Sequence, residues 1–204
     1  FDRSLFLKSI TDPLHHMERW TLDVNGNPVV QYDKKNNKRY VVYDTYGNPV
    51  RVTNALNLVA RAAFEPVYNM PTTIIDEKGR VRSYSYDSKG NLLQSVDAEG
   101  AATTYTYNSH GQVLMVTDPL GRSALFSYDS YGNLVSQKDA AGGITKFSYD
   151  ILGRLVSVTN ALGKITRYTY DKNGNVLSIK DPLGNSTTNT YSSLDRLLVR
   201  HDAL

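Results

Sequence analysis

The chain has 204 residues, no cysteine, 23 basic against 20 acidic residues and a net charge of +3. Without Cys there is no disulfide framework, no thiolate metal site and no thiol nucleophile, and no apolar run approaches the roughly 18 residues of a membrane-spanning helix. The hydrophobic share of 40% is too high for a disordered chain, and the odd feature is 15 tyrosines against five phenylalanines and one tryptophan.

In chain order the sequence repeats itself, and internal repetition outranks any other signal. An aromatic or aliphatic residue followed by an acidic one opens each copy: Phe1-Asp2, Leu22-Asp23, Tyr43-Asp44, Phe64-Glu65, Tyr86-Asp87, then Tyr107-Asn108, Tyr128-Asp129, Tyr149-Asp150, Tyr170-Asp171 and Tyr191-Ser192. The step is 21 residues throughout except between Phe64 and Tyr86, where it is 22. A second landmark keeps the same rhythm from Asp12 and Asp33 to Asp181 and Asp202, and its long step, from Asn54 to Asp76, locates one extra residue in the segment 65–71. Glycine follows both landmarks. Gly26, Gly47, Gly90, Gly111, Gly132, Gly153 and Gly174 stand four residues after the first, and Gly79, Gly100, Gly121, Gly142, Gly163 and Gly184 three after the second, leaving only Gly143. Such regularity marks a backbone position that needs positive φ, with Asp or Asn as the Asx residue three positions earlier.

Between the turns lie two short stretches per copy. One is aliphatic, as in Leu155-Val156-Ser157-Val158-Thr159, and the other alternates, as in Arg167-Tyr168-Thr169-Tyr170. Period-two alternation, β-branched and aromatic residues and a turn about every ten residues predict strands. The expected fold is all-β, with little or no helix: an antiparallel meander of about 20 strands, built from about ten 21-residue hairpin repeats. Because 21 is odd, hairpin loops that were both even would flip the aromatic ladder from face to face. One loop is therefore expected to be odd or bulged and the other even, a left-handed Gly closing a type I turn being the usual three-residue solution. Twenty strands at ~4.8 Å make a ribbon of roughly 95 Å, which strand twist would curl. Closed on itself it would be too narrow to enclose a domain, so it reads as part of a longer wall. Residue 1 is already a landmark and residues 202–204 fall in a turn, as expected of a fragment of a larger protein. The organisation is a single array over 1–204, less regular through 85 and regular from 86 to 204.

The unit Tyr-Asp-x-x-Gly-[Asn/Arg]-Leu, with its second Asp/Asn-x-x-Gly, resembles the YD repeat of RHS-type proteins; residues 149–163 are a close match, and the likeness covers the full length. The repeat positions that carry it are Tyr43, Tyr86, Tyr107, Tyr128, Tyr149, Tyr170 and Tyr191, with Gly47, Gly90, Gly111, Gly132, Gly153 and Gly174. Leu22 and Phe64 replace Tyr, Leu5 takes a glycine position, and the Phe64 copy has no turn glycine. The resemblance implies a segment of a spiralling β-cocoon shell. Such shells enclose a C-terminal toxin or effector in bacterial RHS polymorphic toxins and insecticidal toxin-complex subunits, and serve cell-surface adhesion in teneurins. The implied partners are the remainder of the shell, an enclosed effector and delivery-system proteins, and the implied location is secreted or cell-surface. The alternative is an adhesion or carbohydrate-binding module of the same repeats. The family's autoproteolytic aspartates belong to a core that finds no match here; Asp118-Pro119-Leu120-Gly121 and Asp181-Pro182-Leu183-Gly184 occupy the ordinary second turn.

The remaining candidates read as structural. Asp171-Lys172-Asn173-Gly174-Asn175 and Asp23-Val24-Asn25-Gly26-Asn27 look like half a calcium loop, but Pro182 and Lys34 stand where its bidentate Glu belongs. His15-His16-Met17-Glu18 lacks zincin spacing, His110 and His201 stand alone, and no Gly-x-Ser-x-Gly elbow is present. Tyr168 with Tyr170, Tyr105 with Tyr107 and Phe147 with Tyr149 are expected on one sheet face, as packing partners more than as a ligand platform. Lys and Arg are spread through turns and strand ends without the stripe of a phosphate-binding surface, so no nucleic acid is expected. Choline-binding repeats use Trp at nearly every copy, whereas Trp20 stands alone. No enzyme activity, cofactor or metal is expected.

Overall fold

A computed structural model describes residues 8–203; the first landmark, Phe1-Asp2, and Leu5 lie outside them. The described residues hold no helix and 19 strands, in two compact units, Phe1–Thr104 and Tyr105–Leu204. The first unit contains β1 (Ser9–Thr11), β2 (Met17–Leu22), β3 (Pro28–Tyr32), β4 (Lys38–Tyr43), β5 (Pro49–Thr53), β6 (Val59–Phe64), β7 (Pro71–Ile75), β8 (Val81–Tyr86), β9 (Leu92–Val96) and the start of β10 (Ala102–Tyr107). The second contains the end of β10, then β11 (Val113–Thr117), β12 (Ser123–Tyr128), β13 (Leu134–Lys138), β14 (Ile144–Tyr149), β15 (Leu155–Thr159), β16 (Ile165–Tyr170), β17 (Val176–Lys180), β18 (Ser186–Tyr191) and β19 (Leu197–His201). Within each unit the strands form an antiparallel meander, each paired with its neighbour in the chain.

The repeat keeps its faces aligned by a device other than unequal loops. In the hairpin joining β16 to β17, Asp171 N–H bonds to Asn175 O and Gly174 N–H to Asp171 O. In the hairpin joining β17 to β18, Asp181 and Asn185, Gly184 and Asp181 make the same two bonds. Both loops are therefore odd, three residues between the flanking pair, and the expected even loop does not exist. The parity is corrected inside the strands. Thr169 opposes Ser178, but Tyr170 opposes Val176, so one extra residue of β17 forms a β-bulge; the β17–β18 register runs without a shift. The same alternation recurs at Tyr43, Tyr86, Tyr128, Tyr149 and Tyr191; at Phe64 the bulge accompanies a loop one residue longer, between Glu65 and Met70, which suits the even 22-residue step. One bulge per repeat turns an odd loop into an effectively even one.

With the faces aligned, side chains at alternate positions separate by character. In β16 Thr166, Tyr168 and Tyr170 are half-buried while Arg167 and Thr169 are exposed. Phe147 opposes Val158 and Tyr168 opposes Ile179, so rings and aliphatic chains share one face. Burial goes no further than that. Val41, 4% exposed, is the sole buried hydrophobic residue among the described residues. The accessible surface, 14230 Å², compares with about 9,600 Å² for a compact monomer of this mass. Backbone pairing within one layer, more than a core, holds these units.

Candidate functional site: a tyrosine ladder and two rows of turns

The turn is a self-contained hydrogen-bonding unit. Asp171 Oδ1 accepts the N–H groups of Asn173 and Asn175, both at 2.9 Å, and Oδ2 accepts Asn175 Nδ2 at 2.9 Å. The Asn side chain, then the backbone donors, hold the Asp171 carboxyl below its usual range. Asp23, Asp44, Asp87 and Asp129 repeat the arrangement with Asn27, Asn48, Asn91 and Asn133. Asp150 and Asp118 do so with Arg154 and Arg122, whose Nε atoms lie 2.7 Å away. Thus the carboxylates that looked like calcium ligands spend both oxygens on their own turn, and Asp118 and Asp181 sit in the same geometry as their counterparts. His15 stands in a turn at φ 64°, and His16 Nδ1 lies 3.3 Å from Asp12 Oδ2. Among the described residues no three His, Asp or Glu side chains form a metal-sized group.

Glycine takes the left-handed corner where it is present: Gly47, Gly90, Gly111, Gly132, Gly153 and Gly174 have φ between 75° and 93°. The glycine-free turns substitute Asn36, Asn57, Asn69, Asp195 and His15 at φ near 60°. The 22-residue step is explained at the same place. The turn after Phe64 is one residue longer, and its acidic residue is Glu65, whose longer side chain still reaches Tyr68 N at 2.6 Å, Met70 N at 3.2 Å and Val67 N at 2.9 Å.

The tyrosines that close the six-residue strands are joined by a feature the sequence did not disclose. Each hydroxyl donates to the carbonyl 15 residues upstream: Tyr43 to Pro28, Tyr86 to Pro71, Tyr128 to Val113, Tyr149 to Leu134, Tyr170 to Leu155 and Tyr191 to Val176, at 2.7–3.3 Å. The acceptor is always the first residue of a five-residue strand, at the bulge. Between β15 and β16 the register ends at Ser157 and Arg167, so the Leu155 carbonyl lies beyond the ladder, where a backbone acceptor needs another donor. The tyrosine supplies it and ties the two strands together. Phe would fill the space without the bond, which accounts for Tyr rather than Phe at these six positions. Burial pushes the Tyr43 and Tyr86 hydroxyls up from their usual pKa. Tyr107 ends β10 at the equivalent position.

Neighbouring turns on this edge are also linked. Gln112 Nε2 donates to Gly132 O at 2.8 Å, Arg154 Nη1 to Asp171 O at 2.7 Å, Tyr68 Oη to Ser88 O at 3.0 Å, and Asn173 and Asn175 both reach Asp195 Oδ1. Asn48 and Asn69 exchange side-chain bonds in both directions. The opposite row of turns presents leucine at its tip: Leu14, Leu56, Leu120, Leu162 and Leu183 are 75–83% exposed.

A repeat with this spacing and this turn chemistry matches the family model for the RHS Repeat over residues 69–102, 86–123, 128–165, 152–179 and 170–204, well over half of the chain. The chain belongs to the RHS repeat family. Among solved structures, the crystal structure of TcdB2-TccC3 without its hypervariable C-terminal region shares the fold at 16% identity and a TM-score of 0.69, covering 93% of this chain and 12% of that one. TcdB2-TccC3-TEV matches at 16% identity and a TM-score of 0.51 over 95% of this chain and 13% of that one. A Tc holotoxin pore from Photorhabdus luminescens with a mutated TccC3 matches at 16% identity and a TM-score of 0.50, over 90% and 13%. The chain therefore spans about an eighth of the length of the structures it resembles. No curated protein matches it. The RHS fold seen here is structural, assembled from turns and strands alone, and no helix of the described residues is long and apolar enough to cross a membrane.

Proposed function

We propose that this chain is a non-catalytic wall segment of an RHS-type protein that encloses a C-terminal effector before delivery. The observation that carries the reading is that ladder, turns and tyrosines bond strand to strand within each unit, in the fold of TcdB2-TccC3 over 93% of the chain. Mechanism here is exclusion. Strands paired neighbour to neighbour within each unit deny proteases a route between them to what lies behind. The exposed leucines at the second row of turns are consistent with further protein packed against that edge, since repeated apolar tips are unfavourable in water. Residues 1–204 then act as one array, regular from 86 onward. Its partners are the rest of the shell, the effector and the delivery proteins of an extracellular toxin system, so its location is secreted or cell-surface.

Limited proteolysis of the full-length protein tests this. The effector region is expected to survive protease concentrations that digest the same region expressed alone. Equal digestion rates for the enclosed and free forms would overturn the reading.

A further inference from the structure

We propose that Asn25 is a site of spontaneous deamidation in the folded chain, and that Asn173, its counterpart at the same turn position, is guarded from that reaction by Asp195. The chain holds two Asn-Gly steps, Asn25-Gly26 and Asn173-Gly174, each beginning three residues after a landmark, Leu22 or Tyr170. An asparagine before glycine is open to attack by the following backbone nitrogen, because glycine has no Cβ in the way. Gly26 N bonds to the Asn25 side-chain carbon Cγ, the Cγ–Nδ2 bond breaks, and Nδ2 leaves as ammonia with the proton given up by Gly26 N. Water then opens the five-membered imide at one carbonyl or the other, leaving aspartate or isoaspartate. Either product takes one unit from the net charge of +3.

The two steps are a matched pair. Asn25 and Asn173 are both exposed. Gly26 and Gly174 both hold the left-handed corner, at φ 87° and 93°. Their N–H groups bond to Asp23 O and Asp171 O at 3.1 and 3.2 Å. The N–H of each asparagine donates to its turn carboxylate, at 2.9 Å in both. Backbone restraint is therefore equal, and solvent reaches both. The side chains differ. Asn173 Nδ2 donates to Asp195 Oδ1 at 2.8 Å, across to the neighbouring turn, whereas the Asn25 side chain has no hydrogen-bond partner among the described residues. Attack requires the side-chain carbonyl to rotate onto the next nitrogen. Asn173 must first give up a bond to a charged acceptor, and Asn25 gives up none.

The reason lies in the repeat that follows each step. Asp195 stands four residues after Tyr191, where glycine stands in most copies, at φ 58°; Asp is among the few residues that visit this region. The same position after Tyr43 is Gly47, at φ 86°, which has no side chain to offer Asn25. A Cβ on Gly47 would come no closer than 4.0 Å to its nearest neighbour, Asn27 Oδ1, so the space that Asp195 fills beside one hairpin is open beside the other. Isoaspartate at position 25 would add a carbon to the main chain inside a tightly bonded turn. Asp23 Oδ1 accepts the N–H of Asn27 at 2.8 Å and Oδ2 accepts Asn27 Nδ2 at 3.0 Å, and both bonds span the altered residue. The modification therefore loosens the hairpin joining β2 to β3 and spares the one joining β16 to β17.

The test is peptide mass spectrometry of the 204-residue chain, incubated folded in mildly alkaline buffer and sampled over time, scoring amide-to-acid conversion at each step. Asn25 should convert about tenfold faster than Asn173, the factor expected of one hydrogen bond to a charged group. In urea the two rates should converge. Asp195→Gly restores the residue common at that corner, which sits there without strain, and should bring Asn173 to the rate of Asn25 while leaving Asn25 unchanged. Asp195→Asn keeps an acceptor and should keep Asn173 slow. Equal rates in the folded chain, or a slow Asn173 in Asp195→Gly, would overturn the proposal. So would a difference that persists in urea, which would place its cause in the flanking residues Val24 and Lys172. Acceleration of both steps by Asp195→Gly would mean unfolding rather than release of one side chain, and would count against it equally.

Discussion

A tyrosine that closes a six-residue strand does two jobs, and only one needs the hydroxyl. The ring of Tyr170 lies on the face of Val176, which it opposes; its hydroxyl caps the Leu155 carbonyl at 2.7 Å. Tyr170→Phe separates them. The volume stays and one hydrogen bond goes, leaving a half-buried carbonyl with a poorer partner, so the expected loss is about 0.5–1.5 kcal/mol in chemical denaturation. Phe64 shows that the position accepts the ring alone. An unchanged denaturation midpoint would mean water replaces the hydroxyl at no cost. The turn aspartates add a pH dependence. Donors from Asn27, Asn37, Asn48, Asn91, Asn133 and Asn185 hold Asp23, Asp33, Asp44, Asp87, Asp129 and Asp181 below the ordinary carboxylate range. The backbone N–H of His16, helped by Lys34, takes Asp12 to about 2. A folded pKa below the unfolded one, roughly 3.9, means the folded state binds fewer protons. Their contribution is complete above the unfolded pKa and is lost as pH falls through the folded values, from about 4 towards 2. The melting temperature should fall across that window. Asp171→Asn should flatten the fall, because Asn keeps the acceptor that serves residues 173 and 175 and has no proton to take up, as Asn108 does for His110 and Gln112 at 2.9 and 3.0 Å. A melting temperature constant from pH 5 to pH 2 would rule the turn carboxylates out as an acid-sensitive element.

At the scale of strands and turns, the sequence disclosed what is local and hid what depends on register. The left-handed corners were legible because a glycine recurring four residues after the landmark Tyr has one physical use, and the structure gives Gly153 a φ of 75°. The need for a parity correction was also legible, because 21 is odd and the aromatics recur. Its form was not. A bulge opposite Tyr170 leaves no compositional mark, since Val176 and Leu177 look like ordinary strand residues. The tyrosine acceptor was hidden for the same reason: Leu155 is 15 residues from Tyr170 and meets it only once the bulge has ended the ladder. The extra residue after Phe64 was counted correctly, but its compensation is a matter of reach. Glu65 is one methylene longer than Asp and serves a turn one residue longer, with Asn69 at φ 60° in the glycine position. Linear spacing scattered Lys138, Lys146, Arg167 and Lys180, and alternation gathered them on one face.

For the molecule as a whole, a repeat of this kind is stabilised by nearest-neighbour terms, each hairpin depending on the next one along. Such an array has no core to close it off, and its strand edges retain unpaired backbone groups. In the second unit β19 pairs with β18 through four residues and shows no other register within that unit. All five of its residues are exposed, among them Leu197 at 53%, Leu198 at 64% and Val199 at 44%. It lacks the usual protections of an edge, a proline or an inward-pointing lysine, and carries its one arginine at Arg200. Such a strand recruits another chain by extending the ladder. The 204-residue chain in isolation is therefore expected to self-associate as its concentration rises, seen as an increasing weight-average sedimentation coefficient. Leu198→Lys should reverse it without changing the melting temperature, because Leu198 is exposed and a lysine there blocks edge-to-edge pairing while the β18–β19 ladder stays intact. Two results would count against this account: a monomer at every concentration, which would mean that the edge is already covered, or association that survives Leu198→Lys, which would move the contact to the leucine-tipped turns at Leu120, Leu162 and Leu183.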